Sequence, residues 1–363
     1  MSKLNGGRRH SGSVGKPTID DVATLAGVSR TSVSRVLNNG PNVRPILRDR
    51  VLRAVEELDF KVNVQARNLA GRATGQIALV HQSDLDTEPN SYYHAALELG
   101  ALRACANHGY QLVTRTVSPD IDTAKRQIRS MFDDDLVAGI IVTPPLSDDP
   151  GLARLGGADR VPIVCVAADP KSSSGCPSVG IDDFAAGMDV ARHLIQLGHR
   201  RFGYIHGLAG HRSAQRRFEG LMAALAESNI DDFSVTEEQG TFTFRSGIEC
   251  AQRIIAKTVR PTALICANDD MAAGALLAIH RAGLAIPGDI SVTGFDDTPL
   301  SEIVWPPLTT LHQPIKQIGH DATQMLIALI GRESEGTPAP SHVTSEHHLV
   351  LRESTGFPPL PSP

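Results

Sequence analysis

Between residues 76 and 351, short β-branched runs alternate with helical stretches, and this alternation leaves the chain few architectures. The runs are Ile77–Val80, Gln111–Thr116, Gly139–Thr143, Pro162–Val166, Arg201–His206, Ala263–Ala267 and Ile290–Phe295. Between them lie helical candidates at Tyr92–Asn107, Phe184–Leu197, Ala214–Glu227, Ser246–Ala256 and Met271–Ala282. Strand, helix, strand at this spacing implies βαβ units and parallel sheets. One ordinary sheet cannot hold so many strands, so two α/β lobes are expected, with Gly109, Gly198, Gly283 and Pro287 marking joints. No apolar run reaches the roughly 18 residues that a membrane span needs.

Charge separates the front of the chain from the rest. The formal net charge is −5. Residues 1–75 carry 13 Lys/Arg against 6 Asp/Glu, while the remainder carries 22 against 34. A small basic head on an acidic body points to a polyanion as the partner of the head alone. Met1–Lys16 is polar and lacks the apolar core of a secretory signal. The 5 cysteines are widely spaced and form no CxxC pair, which argues against a disulfide framework or zinc site and for a reducing cytosol.

Within the head, Ile19, Val22, Ala23 and Ala26 fall on one face of a helix. Thr18 is its expected N-cap, Asp20 and Asp21 suit its first turn, and Gly27 breaks it where a left-handed residue fits. Ser29 is positioned to cap a second helix with inner face Val33, Val36 and Leu37, leaving Arg30, Thr31, Ser34 and Arg35 outward. A third helix near Pro45–Leu58 offers Leu47, Val51, Val55 and Leu58. Two short helices across a glycine turn describe a helix-turn-helix. Arginine pairs bidentately with guanine, and threonine bonds base edges or touches a thymine methyl. Periodicity alone fits a small bundle with a solvated basic face equally well.

The strings TIDDVATLAGVSRTSVSRVLN and VNVQARNLAGR resemble the LacI/GalR family of transcriptional regulators. That resemblance implies that Arg30, Thr31 and Arg35 read bases, and that Ser29, Ser32 and Asn38 touch phosphate or fix docking. It adds Thr18, Asn63 and Arg67 to the DNA-contacting set. It also makes Val64–Ala70 a hinge helix with Leu69 as a minor-groove wedge. Val62 stands where the family usually has proline, and Arg44 stands where it has a hydroxyl cap before the third helix. Arg44 is therefore read as a phosphate contact.

The resemblance continues through VGIDDFAAGMDVARHLIQLGHRRFGYIHG, RRFEGL, CANDDMAAGALLAIHRAGL, IPGDISVTGFDD and PPLTTLHQP. It implies an all-α helix-turn-helix head on a two-lobed α/β core like periplasmic sugar-binding proteins, with parallel sheets, helices on both faces and ligand in the cleft. The expected layout is a tail at 1–16, head at 17–62 and hinge with linker at 63–75. The first lobe is expected from 76–175 and 314–341, and the second from 176–313 and 342–358. Asn268 and Asp296 each follow a strand run and match effector-contact positions, whereas Asp269 and Asp297 are read as structural. Arg217, Phe242 and Gln313 match further effector positions. Tyr92, Tyr93 and Trp305 are aromatic candidates, and Asp84, Asp86 and Glu88 are possible acceptors in a long loop. Acceptors, an arginine and a few aromatics suit a neutral sugar or glycoside.

No HExxH, GxSxG, P-loop or paired-carboxylate motif is present, so no catalysis, cofactor or metal is expected despite the 14 histidines. His347 and His348 are expected on opposite faces of one strand, and His199 in a structural role. The resulting expectation is a cytoplasmic homodimer, without the family's tetramerising leucine tail, that binds double-stranded operator DNA under control of a small-molecule effector. The rival is a sugar-binding module without sequence-specific DNA binding.

Overall fold

The computed structural model describes residues 17–37, 43–58, 75–82, 91–134, 136–155, 161–169, 176–228, 232–330 and 342–360. The chain divides into two compact units, Met1–Arg72 and Ala73–Pro363.

The first unit contains α1 (Ile19–Ala26), α2 (Arg30–Leu37) and α3 (Pro45–Glu57). Thr18 starts α1 through a reciprocal box: its Oγ1 accepts from Asp21 N at 3.3 Å, and Asp21 Oδ2 accepts from Thr18 N at 2.7 Å. Gly27 ends α1 at φ 63°, a left-handed conformation costly for residues with a Cβ. Arg50 of α3 donates to Ala26 O at 2.6 Å, tying the glycine turn to the third helix. Val22, Ala23, Ala26, Val33, Val36, Val51 and Ala54 form the core. Leu37, Val55 and Leu58 pack on it half-buried rather than at its centre, because small alanines bring the helices close.

The second unit holds two six-stranded sheets. The first sheet runs β11–β5–β4–β3–β1–β2. Its strands are β1 (Gln76–Gln82), β2 (Gln111–Val117), β3 (Gly139–Val142), β4 (Ile163–Val166), β5 (Ser178–Gly180) and β11 (His342–Thr344). The second runs β12–β10–β9–β8–β6–β7. It comprises β6 (Arg201–His206), β7 (Ser234–Gln239), β8 (Ala263–Cys266), β9 (Ser291–Asp296), β10 (Thr309–His312) and β12 (His348–Val350). All pairings are parallel except β10 with β12. Central strands such as β3, β4 and β8 are wholly buried and uniformly apolar, as expected of sheets covered on both faces.

The major helices of this unit are α4 (Ser91–His108), α5 (Ile121–Asp133), α7 (Asp183–Gln196), α8 (Arg212–Glu227), α9 (Phe244–Ile255), α10 (Asp269–Arg281) and α12 (Ile315–Ile330). Short α6 (Leu152–Leu155) and α11 (Leu300–Ile303) complete the set. The chain passes between sheets after β5, after β10 and after β11. β5 and β11 thus belong to the first sheet, a few residues beyond the crossings expected at 175 and 341. Each is only three residues long, and no change of composition marks it. In each sheet the order reverses beside its first strand, between β1 and β3 and between β6 and β8. Open α/β sheets bind ligands outside the carboxyl ends of strands at such a switch point.

Candidate nucleic-acid interface and ligand cleft

The second helix of the head presents a polar face because Val33 and Val36 occupy its inner side. Arg30, Thr31 and Arg35 are exposed, and Ser32 is half-buried. Ser29 Oγ accepts from Ser32 N at 3.2 Å and lies 2.9 Å from both Thr31 Oγ1 and Ser32 Oγ. The hydroxyl cluster thus fixes the start of α2 and stays reachable from outside. Arg30 lies 3.7 Å from Asp20 with both side chains exposed, a weak pair that leaves the guanidinium available. Arg44 precedes Pro45, is exposed and makes no side-chain cap. Thr18 is committed to the capping box. Asn38, Asn63, Arg67 and Leu69 lie outside the described residues, as do Asp84, Asp86 and Glu88.

In the second unit, four of the sequence-selected residues gather around a buried arginine. Arg217 is 7% exposed on the inner face of α8. Its Nε donates to Asp183 Oδ1 at 2.8 Å, its Nη1 donates to Ala267 O at 2.9 Å, and its guanidinium lies 3.5 Å over the Phe295 ring. Burial works against its charge, but Asp183 and Asp296 outweigh that and hold it more firmly protonated than usual. Asp296 sits at the carboxyl end of β9 with φ 111°, 3% exposed, and accepts from Gln313 Nε2 at 2.5 Å. Burial pushes its carboxyl well above the usual range, while Arg217 opposes the rise. Tyr93, near the start of α4, has its phenol raised by burial and then by Asp296. First-lobe Tyr93 and second-lobe Asp296 are thus near enough to interact electrostatically.

Phe242, at φ 62°, lies against His211, which feels the Arg217 charge. Asn268 caps α10 by accepting from Met271 N at 3.0 Å, and its Nδ2 donates to Phe242 O at 3.0 Å. Its amide is thus spent on holding Phe242 and the helix start. The Phe242 ring meets His211 edge-on at 4.9 Å. Burial first, then Arg217, pushes His211 down to about 3, and its Nδ1 accepts from Ala214 N at 3.4 Å, which only a neutral ring can do.

Asp269 accepts from Thr298 N at 2.7 Å, Thr298 Oγ1 at 2.9 Å and Thr310 Oγ1 at 2.6 Å. Asp297 binds Arg352 at 2.7 Å and His312 at 2.9 Å. Both are structural ties. His199 is fully buried between Thr262 and the Gly356 carbonyl, also a structural position. Tyr92 is exposed at the rim of α4. Trp305 is not brought into the group: it is 81% exposed on the turn after α11, beside Ile303 at 70%.

Sequence reasoning missed Asp183, His81, His94 and His211. Asp183 stands beside its capping twin Asp182, and nothing in the pair shows which one turns inward. Also missed was the tie between lobes. Arg212 of α8 bonds Asp169, just beyond β4, at 3.1 Å and Glu219 at 2.7 Å, while Ser213 Oγ donates to Ala167 O at 2.7 Å. A cavity of ≈ 220 Å³ lies against Asp169, Asp183, Ser213 and Arg216. Among the described residues no group of three or more His, Cys, Asp or Glu could hold a metal ion.

Comparison with known proteins agrees with this arrangement. Residues 18–63 match the family of bacterial regulatory proteins, lacI family, and residues 191–355 match a periplasmic binding protein-like domain. The HTH-type transcriptional repressor PurR of Haemophilus influenzae is 31% identical over 93% of this chain and 98% of its own length. The HTH-type transcriptional regulator CelR of Thermobifida fusca is also 31% identical, over 93% of this chain and 98% of its own. A Lac repressor dimer bound to operator and the anti-inducer ONPF superposes with a TM-score of 0.69 and 27% identity, covering 94% of this chain and 100% of that one. A CelR–cellobiose complex gives 0.67 and 28%, covering 93% and 99%. The exposed helix-turn-helix face, the paired sheets and these matches lead to one conclusion: the chain belongs to the LacI family of DNA-binding transcriptional regulators.

Proposed function

We propose that this regulator represses transcription as a homodimer on a pseudo-palindromic operator, and that a neutral sugar or glycoside in the interlobe cleft alters its grip. Two heads related by a two-fold axis read half-sites roughly one helical turn apart. Arg30, Thr31 and Arg35 read base edges; Ser29, Ser32 and Arg44 engage phosphates. Asn38, Asn63, Arg67 and the Leu69 wedge complete the contact set. Arg217, Asp296, Gln313, Tyr93 and Phe242 hold the ligand, and Asn268 positions Phe242.

The observation that carries the reading is the buried polar group at the carboxyl ends of the second sheet, shared with Tyr93 of the first lobe. Its members are a carboxyl and an amide already bonded to each other, a phenol, and an arginine neutralised by Asp183, an environment suited to an uncharged, hydroxyl-bearing ligand. The CelR structure solved with cellobiose supports a carbohydrate. The operator-bound Lac repressor dimer supports self-association, as do the exposed apolar side chains Ile303 and Trp305.

The test is fluorescence anisotropy of the full-length chain on a palindromic duplex across a salt series. Affinity is expected to fall steeply with salt, and Arg35→Ala is expected to relax base preference by about 1–3 kcal/mol. Equal affinity for operator and scrambled duplex would instead support the sugar-binding module.

A further inference from the structure

One buried side chain at the first lobe's switch point has an atom with no hydrogen-bond partner among the described residues. His81 lies near the carboxyl end of β1 and Thr143 directly follows β3, so the two flank the position where strand order reverses. His81 is 5% exposed. Its Nδ1 lies 3.2 Å from Thr143 Oγ1, and that hydroxyl lies 3.2 Å from Val80 O. With the Thr143 hydroxyl donating to Val80 O, its oxygen is free to accept from Nδ1–H of the ring. Burial, reinforced by His94, pushes the imidazole down to about 3, so the ring is neutral, and in this arrangement its one hydrogen is on Nδ1. Nε2 is then a bare lone pair, buried, with no hydrogen-bond partner among the described residues. Native proteins rarely leave such an acceptor unmet, because its lost hydration is uncompensated.

The ring belongs to the cleft wall. His94, half-buried in the first turn of α4, stacks against it at 4.2 Å between ring centroids. Across the cleft, His211 feels His94 electrostatically and packs on Phe242. Tyr93, beside His94, feels Asp296 and Arg217 in the same way. A path of ring contacts and charges therefore runs from His81 to the acceptors of the second lobe.

We infer that His81 Nε2 is a specificity-determining acceptor: it takes a hydrogen bond from a hydroxyl of a neutral, hydroxyl-rich ligand that also donates to Asp296, so the ligand's own hydroxyls join the lobes. The ligand reaches Nε2 past His94, which packs on the same ring. The inference rests on the cleft reading above and narrows it. A ligand carboxylate at this position would face a lone pair in a dry site, an unfavourable burial, so acidic sugars are rejected.

The test is NMR of the full-length protein carrying ¹⁵N-labelled histidine, titrated with glucose, galactose, ribose, maltose and cellobiose, and with glucuronate as the acidic counterpart. Without ligand, the His81 ring is expected to show a protonated Nδ1 and an unbonded Nε2. At least one neutral sugar shifts Nε2 toward the hydrogen-bonded position, and glucuronate does so less. By calorimetry, His81→Phe, which keeps the stack on His94, binds that sugar about tenfold more weakly or worse, as when a hydroxyl loses its buried partner. His81→Gln, which keeps an acceptor, retains part of the affinity. If His81→Phe fails to fold, the NMR titration decides alone. A sugar that shifts His211 but not His81, or that binds His81→Phe unchanged, overturns the inference and leaves the cleft reading standing. A proton on Nε2 in the free protein, or tighter binding of glucuronate, overturns it as well. If no neutral sugar moves either ring, the ligand class itself is wrong and the inference falls with it.

Discussion

Arg217 shows how one side chain can organise a cleft. A buried guanidinium needs its donors satisfied, and here a carboxylate, a carbonyl and an aromatic face share that duty. Because Asp183 already neutralises the charge, the cation acts on its surroundings as a fixed donor array. The histidines nearby follow a different rule. His81 is held far below the unfolded value of 6.5, at about 3. Its neutral form therefore favours folding fully above about pH 6.5. That contribution is lost as pH falls toward 3, because the unfolded chain takes up a proton that the folded ring refuses. Between about pH 6 and 4, wild type is expected to lose stability relative to His81→Phe by about 1.4 kcal/mol per pH unit. Paired denaturant titrations at several pH values measure this difference directly, with the buried aspartates cancelling between the two proteins. Parallel stability–pH curves for the two proteins would show that the ring titrates normally.

At the scale of elements, the Asp183–Arg217 pair depends on two glycines. A Cβ on Gly187 of α7 would stand 2.0 Å from Arg217 O, and one on Gly220 of α8 would stand 2.1 Å from Phe184 O. Close approach of the two helices is what lets a short aspartate reach the arginine. Gly187→Ala is expected to push them apart and cost about 1–3 kcal/mol, read as a lowered melting temperature together with weaker binding of the proposed cleft ligand. An unchanged melt would contradict the tight packing. Elements with strong local signatures were legible in the sequence: α1 from its periodicity, Thr18 and Gly27, and strands such as β3 and β8 from uniform apolar runs. Edge strand β7 was not, because Ser234–Gln239 is polar and half-exposed, and an edge pairs by backbone rather than by side-chain pattern. α5 was hidden among charges, with only Ala124 and Ile128 buried. α12 carries a readable stripe at Ile315, Ile318, Ala322 and Met325, yet it follows a strand of the other lobe, so its destination is set by long-range packing. In the cleft, Asp296, Arg217 and Gln313 were legible through family strings. The histidines were not, because nothing local shows that His81 and Thr143, 62 residues apart, meet at a switch point.

The whole molecule carries a DNA-reading unit and a two-lobed unit whose sheets are linked by three crossings. The Arg212–Asp169 pair and the Ser213–Ala167 bond latch one lobe to the other, so a ligand touching both lobes competes with or reinforces that latch. If ligand and operator act on one conformational equilibrium, each must change the affinity of the other by the same factor. Coupling of this kind is typically about 1–3 kcal/mol, or roughly 5–150-fold. The most direct measurement is calorimetric titration of the sugar proposed for the cleft into the full-length protein, free and saturated with operator, beside operator titrations with and without that sugar. Equal factors are expected from the two titrations, both different from one and both abolished by Asp296→Ala with operator affinity retained. A factor of one, for a sugar that demonstrably fills the cleft, would contradict this expectation.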